Sequence, residues 1–373
     1  MGKTIIGLLN ETVEKYGENP YLYEALHNIE YAALTFREVK ELAIRFAAGL
    51  MEMGVEGGER VALMSEGKSN WVIGELGVLH AGAVCVPLSV KLDTEQDITF
   101  RINHSDSVMV LASNQQIKKL RPLKEKMPTV KRYILLDSEV EAEEAEIHIQ
   151  SVLKLGDALL ETDRRKVEER IAGVEPDSLA NISYTSGTTA NPKGIMLSHD
   201  NYVCNVEQAV DLLNGIPSHF RMLLILPWDH SFGHTAGVYA FMKVGASIAS
   251  VAAGKSAMEI LRNVPKSLKA INPHIMMSVP ALANNFRNNI EDGVKKQGKM
   301  AYRLFQQGLK VAYAYNAEGY NKGRGKRALL KPLVAFYDKI IFSKVRKNFA
   351  SNLQYFIGGI ISTGPLPSIL SAH

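Results

Sequence analysis

The stretch Tyr184–His199 reads YTSGTTANPKGIMLSH. It follows an apolar run, Ala180–Tyr184, that reads as a strand. Thr185, Ser186, Thr188 and Thr189 place four hydroxyls around one glycine, Gly187. Such a turn presents hydroxyl donors and backbone N–H groups together, which is the arrangement a polyphosphate needs. Asn191-Pro192 bends the chain, Lys193 supplies a cation, and Gly194 permits another sharp turn. A helix over Asp200–Leu213 follows. By composition alone the same string also reads as a polar surface turn between strand and helix.

On both sides of this stretch strands and helices alternate. Thr35 opens a helix whose apolar residues Phe36, Val39, Leu42, Ala43, Phe46, Ala47 and Leu50 form one face. Thr35 and Glu38 have capping-box spacing, and Gly54 is a stop. Arg60–Ser65 and Ala83–Leu88 read as buried strands around a helix at Asn70–Ala81, and Val108–Ala112 and Tyr133–Leu136 continue the series. After the phosphate-type turn, Met222–Leu226, Ser247–Ala252, Ile275–Val279 and Leu353–Ile357 are strand candidates, with a helix at Thr235–Val244. The pattern predicts an α/β fold: two mostly parallel β-sheets flanked by helices. A seam near 165–178 divides a first α/β subdomain, 1–170, from a second, 171–373, which carries the turn and a long helical insert.

The chain has 373 residues, 46% of them hydrophobic and 22% charged, which excludes disorder, collagen and coiled coil. A net charge of +4 is too small on this length to point to nucleic acid. No apolar run approaches the ~20 residues of a membrane span. Cys85 and Cys204 are too few for a disulfide framework. The expectation is a soluble, cytoplasmic protein of a reducing compartment. Charge is nevertheless uneven. The run Glu139–Glu146 reads as a solvated acidic loop. Lys322–Lys347 carries nine Lys or Arg residues against one acid, Asp338, with apolar residues interleaved. That segment reads either as a surface helix with a basic outer face or as a peripheral contact for an anionic membrane surface or ligand.

The ordered string Thr185–Gly194, TSGTTANPKG, closely resembles the phosphate-binding signature of the adenylate-forming (AMP-binding) superfamily of acyl-CoA synthetases, luciferases and peptide-synthetase adenylation domains. Ala190 stands where the family's usual string has glycine. Leu34–Ala47, Gly57–Met64 and Gly82–Leu88 resemble the family's first helix and early strands. Leu226–His234, LPWDHSFGH, resembles its loop lining the carboxylate pocket, and Tyr355–Gly359, YFIGG, the strand and turn beside adenine. Pro273–Phe286 and the helical insert are most similar to the long-chain fatty acyl-CoA synthetase branch.

The resemblance implies ATP, Mg2+ and coenzyme A as reactants, with a fatty acid as substrate. A carboxylate attacks the α-phosphate to give acyl-adenylate and pyrophosphate, and a thiol then displaces AMP. It implies catalytic roles for Lys193, Thr188 and His230. It implies nucleotide contacts from Thr185, Ser186, Gly187, Thr188, Thr189, Lys193, Gly358 and Gly359, and a substrate pocket at Trp228, His230 and Phe232. No metal ligand is assigned. Zinc at Asp229, His230 and His234 is possible by spacing but is disfavoured, since no third strong ligand group is evident nearby. The family continues with a Tyr-Gly-x-Thr-Glu motif and a small C-terminal domain that are absent here. The expectation is therefore a chain that adenylates poorly or not at all by itself, with an open sheet edge after Gly359 that favours self-association. Two other readings stand beside this one: a non-catalytic nucleotide- or carboxylate-binding protein that keeps the fold, and an unrelated phosphate-binding enzyme. Against a P-loop, Ala249 stands where that motif needs the glycine preceding Gly254 by five.

Overall fold

The computed structural model describes residues 3–26, 29–185, 192–212, 215–254, 257–278, 280–317 and 323–358. Strands and helices alternate as α1 (Ile5–Tyr16), β1 (Pro20–Ala25), β2 (Tyr31–Thr35), α2 (Phe36–Glu52), β3 (Arg60–Met64), α3 (Ser69–His80), β4 (Val84–Pro87), α4 (Glu95–His104), β5 (Ser107–Ala112), α5 (Asn114–Leu120), β6 (Arg132–Leu135), β7 (Glu146–His148), α6 (Ile149–Thr162), α7 (Arg164–Ala172), β8 (Leu179–Tyr184), β9 (Gly194–Ser198) and α8 (His199–Leu212). Then come β10 (Arg221–Leu224), α9 (Ala240–Lys243), β11 (Ser247–Ala249), α10 (Ala257–Ile271), β12 (Ile275–Ser278), α11 (Pro280–Lys296), α12 (Lys299–Asn316), α13 (Lys331–Tyr337), α14 (Ser343–Phe349) and β13 (Tyr355–Gly358). The protein is α/β with mostly parallel sheets, as the alternation predicts.

Two compact units result. The first is Met1–Glu24, Ala33–His219 and Pro227–Ser250; the second is Ala25–Ala32, Phe220–Leu226 and Val251–His373. These bounds differ from a division near 165–178, because β8 and β9 extend the sheet that β3–β7 begin.

The first unit holds a seven-stranded sheet in the order β7-β6-β5-β3-β4-β8-β9. Its recorded pairings are parallel except β8–β9, which is antiparallel. Strand β3 is central and nearly continuously apolar, as a strand covered on both faces must be. On one face Ala62, Met64, Val86 and Val110 pack against Ile98 and Ile102 of α4 and Ile117 and Leu120 of α5. Helix α3 is buried at every residue but Asn70, as a helix with apolar side chains on all its faces must be. It lies beside the sheet at Leu111 through Gly74, and beside Phe46 of α2 through Gly77. The capping box forms: Glu38 N–H donates to Thr35 Oγ1 at 3.2 Å, and Thr35 N–H to Glu38 Oε2 at 2.7 Å.

Helices α2 and α6 approach backbone to backbone. A Cβ at Gly156 would overlap the Arg45 carbonyl and lie 2.9 Å from Gly49 N. Arg45 also binds Asp157, with Nη2 to Oδ2 at 2.6 Å. Gly156→Ala gains helix propensity of up to ~1 kcal/mol, but the overlap is with rigid backbone, so the helices must separate. We expect net destabilisation of about 2 kcal/mol, read as a lowered denaturation midpoint. A midpoint equal to that of the parent would show that the crossing yields freely.

One acidic expectation is corrected. Glu139–Glu144 are partly or fully exposed, but Glu146 starts β7 and its carboxylate is enclosed. Arg121 Nη2 and Lys124 Nζ each lie 2.8 Å from it. Burial pushes its pKa up, but the Arg121 and Lys124 bonds and the Glu143 amide outweigh that and bring it down to about 2.

In the second unit β10, β12 and β13 pair in parallel. Residues 280–349 are mostly helical and supply a separate small core of Phe305, Leu309, Ala312, Ile341 and Phe342.

Candidate nucleotide and carboxylate site

The phosphate-type turn joins β8 to a strand. Gly194–Ser198 forms β9, antiparallel to β8, and α8 follows it. The turn is thus the head of a hairpin, where the sequence suggested a strand-to-helix turn. Its base is described: Thr185 N–H donates to the Lys193 carbonyl at 3.0 Å, and Lys193 N–H to Thr185 Oγ1 at 3.4 Å. These bonds close the mouth and set Thr185 and Lys193 side by side. Lys193 is exposed, and its ammonium has no ion pair among the described residues. Ser186, Gly187, Thr188 and Thr189 lie outside the described residues.

The segment Pro227–His234 also belongs to the first unit. Trp228 is 4% exposed and packs edge-on to Trp71 with ring centres 6.0 Å apart. Gly67 makes room for it, since a Cβ there would overlap the indole. His230 and Phe232 are exposed. Phe232 N–H donates to His230 Nδ1 at 3.3 Å. Burial lifts the Asp229 carboxyl above the usual carboxylate range, although His230, His234 and Lys91 pull the other way.

A π-helical turn, Gly233–Tyr239, anchors this loop from below, where the sequence suggested ordinary helix. Such segments appear mostly as single turns, frequently at functional sites. His234 N–H donates to the His230 carbonyl at 2.9 Å. The His234 ring points inward, and its Nε2 lies 2.8 and 2.9 Å from the two oxygens of Glu75 in α3. Both side chains are 1% exposed. Trp71 lies edge-on to the imidazole at 5.2 Å, with Tyr239 at 4.7 Å and Tyr202 at 5.2 Å. Burial first, and the Glu75 carboxylate second, drive the Tyr202 and Tyr239 phenols well above their usual range. Glu75, Tyr202 and Tyr239 were not among the sequence candidates. The available signal was one acid inside an otherwise apolar helix, SNWVIGELGVLH.

His234 is therefore engaged by Glu75 and not grouped with Asp229 and His230, and no cluster of three metal-ligating side chains occurs among the described residues. Gly358 ends β13 in the second unit, in register with Ser278, and Gly359 lies outside the described residues.

The AMP-binding enzyme family model matches residues 9–358, nearly the whole chain. The chain belongs to the AMP-binding enzyme family. Over 346 residues, 90% of this chain and 46% of the relative, it is 24% identical to long chain acyl-CoA synthetase 8 of Arabidopsis thaliana. It thus spans about half the length of the curated relatives it matches. Among solved structures, the adenylation domain of a carboxylate reductase from Mycobacterium chelonae superposes with a TM-score of 0.70 at 18% identity, covering 99% of this chain and 56% of that one. A long-chain-fatty-acid–CoA ligase from Archaeoglobus fulgidus gives 0.65 at 19%, covering 78% and 54%. At these identities the structural likeness shows the fold. The family match places the chain among AMP-binding enzymes.

Proposed function

We propose that the protein of which this chain forms the AMP-binding part activates a long-chain carboxylic acid with ATP. A carboxylate oxygen attacks the α-phosphorus, the bond to the bridging oxygen breaks, and pyrophosphate leaves. The sulfur of coenzyme A then attacks the acyl carbon and AMP departs. The observation that carries this reading is the closed hairpin base that sets Thr185 beside a Lys193 ammonium with no ion pair among the described residues. An anion approaching a polyanion is opposed by charge, and a cation at the hairpin mouth offsets that repulsion. The Thr185 hydroxyl and the loop residues Ser186, Gly187, Thr188 and Thr189 supply further donors in this reading. His230 and Phe232, with exposed side chains on the loop that Trp228 anchors, face the acyl carboxylate. Gly358 and Gly359 allow close approach to adenine. Magnesium would enter with the nucleotide phosphates and offset part of their charge. The long-chain preference is supported by the relatives' names, long chain acyl-CoA synthetases among them.

The test is binding before turnover. ATP with magnesium should raise the thermal midpoint of this chain, and Lys193→Ala should weaken that binding by about 10- to 100-fold, the range of a hydrogen bond to a charged group. Because Lys193 is exposed, the nucleotide-free midpoint should stay put. In the whole protein, fatty-acid-dependent exchange of pyrophosphate into ATP should fall in parallel. Unchanged ATP affinity in Lys193→Ala would remove the phosphate role.

A further inference from the structure

We propose that the helical run 325–349 docks the second unit onto an anionic lipid surface, with Leu329, Leu333 and Phe336 entering the headgroup boundary. The run comprises a 3-10 segment, Gly325–Leu330, then α13, a π-helical turn at Asp338–Phe342, and α14. One of its faces is already used. Tyr337, Ile340, Ile341, Phe342 and Val345 pack on α12, where Gly308 is bare because a Cβ would come within 2.9 Å of Phe342 and 3.1 Å of Tyr337. A helix needs one apolar stripe to join a core. This one has a second. Leu329 is 83% exposed, Leu333 43% and Phe336 54%. Leu333 and Phe336 stand three apart in α13 and so share a face, and Leu329 lies in the 3-10 segment that leads directly into it. A single exposed leucine needs no explanation, but three large apolar side chains exposed within eight residues make a contact surface.

The charge around that stripe selects the occupant. Lys326 stands one turn before Leu329, and Lys339 one turn after Phe336. Lys326, Arg327, Lys331 and Lys339 are exposed and have no ion pair among the described residues. Asp338 is the only acid in the segment, and Arg346 neutralises it with Nη2 2.7 Å from Oδ2. With a whole-chain excess of only +4, the cationic character of the protein is concentrated here. Exposed apolar side chains set among unpaired cations are complementary to a bilayer with anionic headgroups: the leucines and phenylalanine replace water with acyl chain, and the lysines meet phosphate. A second copy of this cationic face would oppose the first with like charge.

The experiment is co-sedimentation of the chain with phosphatidylcholine vesicles, with and without phosphatidylglycerol, at low and high salt. Binding to the anionic vesicles should exceed that to neutral ones by at least about 10-fold and fall with salt. Lys326→Glu with Lys339→Glu should lose about 10-fold or more. Leu329→Ser with Leu333→Ser and Phe336→Ser should lose a similar factor with every cation retained, which bare charge attraction would not do. All these side chains are exposed, so the thermal midpoint serves as the folding control. Equal pelleting on neutral vesicles, or unchanged binding by either variant, overturns the proposal. So does a dimer in light scattering that the serine variant disperses, or single-stranded RNA bound more tightly than the vesicles. None of these outcomes bears on nucleotide binding at Lys193.

Discussion

Glu75→Ala is expected to destabilise the first unit by about 3–5 kcal/mol, the range for breaking a buried, hydrogen-bonded pair from one side. The carboxylate accepts from His234 Nε2 at 2.9 Å through Oε2 with both partners 1% exposed, so water cannot replace the lost acceptor. Removing the side chain also opens a void among Trp71, Tyr202 and Tyr239. Since whole domains are stable by only ~5–15 kcal/mol, this is a large fraction of the total. Glu75→Gln keeps an acceptor oxygen and should lose clearly less. The measurement is a denaturant titration of each variant. The consequence for function follows from connectivity: the ring that Glu75 holds belongs to the residue whose N–H donates to the His230 carbonyl, so the carboxylate loop should loosen before the unit unfolds. Loss below ~1 kcal/mol in Glu75→Ala would mean the pair is not what fixes the π-helical turn.

Acid should unfold the protein earlier than its carboxylates alone require. His80 is 1% exposed; its Nδ1–H donates to the Leu76 carbonyl at 2.6 Å, while Nε2 has no partner among the described residues. His199, also 1% exposed, uses Nδ1 to accept from Ile5 N–H at 3.3 Å. Burial lowers both to about 4; the Leu76 carbonyl partly opposes this for His80, and charge repulsion from His80 adds to it for His199. Both are neutral in the fold, whereas the unfolded chain takes up protons from the ordinary value of 6.5 downward. Between 6.5 and about 4 the unfolded state binds more protons, so stability falls as pH falls. Above 6.5 the contribution is complete and flat. The loss approaches ~3 kcal/mol per histidine at the lower end. Thermal midpoints from pH 7.5 to 4.5 read this directly, and His80→Phe should reduce the slope by about half. A midpoint flat across that window would contradict the burial of these rings.

What could be read from the residues in order was whatever near neighbours decide. Strands β3, β4 and β5 are short apolar runs, and buried parallel strands look like that wherever they occur. The cap at Thr35 needs only Glu38, three residues away. The signature Thr185–Gly194 is likewise a local string, and it names the family before any contact is known. Strand β9 was not legible. Ile195 and Met196 are 44% and 65% exposed, and only pairing with β8 makes GIMLS a strand.

The sequence by itself determined the family, the α/β alternation and the cationic concentration near the end of the chain, because each depends on residue type and short spacing. Tertiary structure alone decided that Glu75 meets His234, 159 residues later, that Glu146 leaves an acidic loop to sit between Arg121 and Lys124, and that Leu329, Leu333 and Phe336 face outward. The physical reason is common to all three. Whether a charge is paired or an apolar side chain is covered depends on which distant surface arrives beside it, and neighbours along the chain carry no record of that.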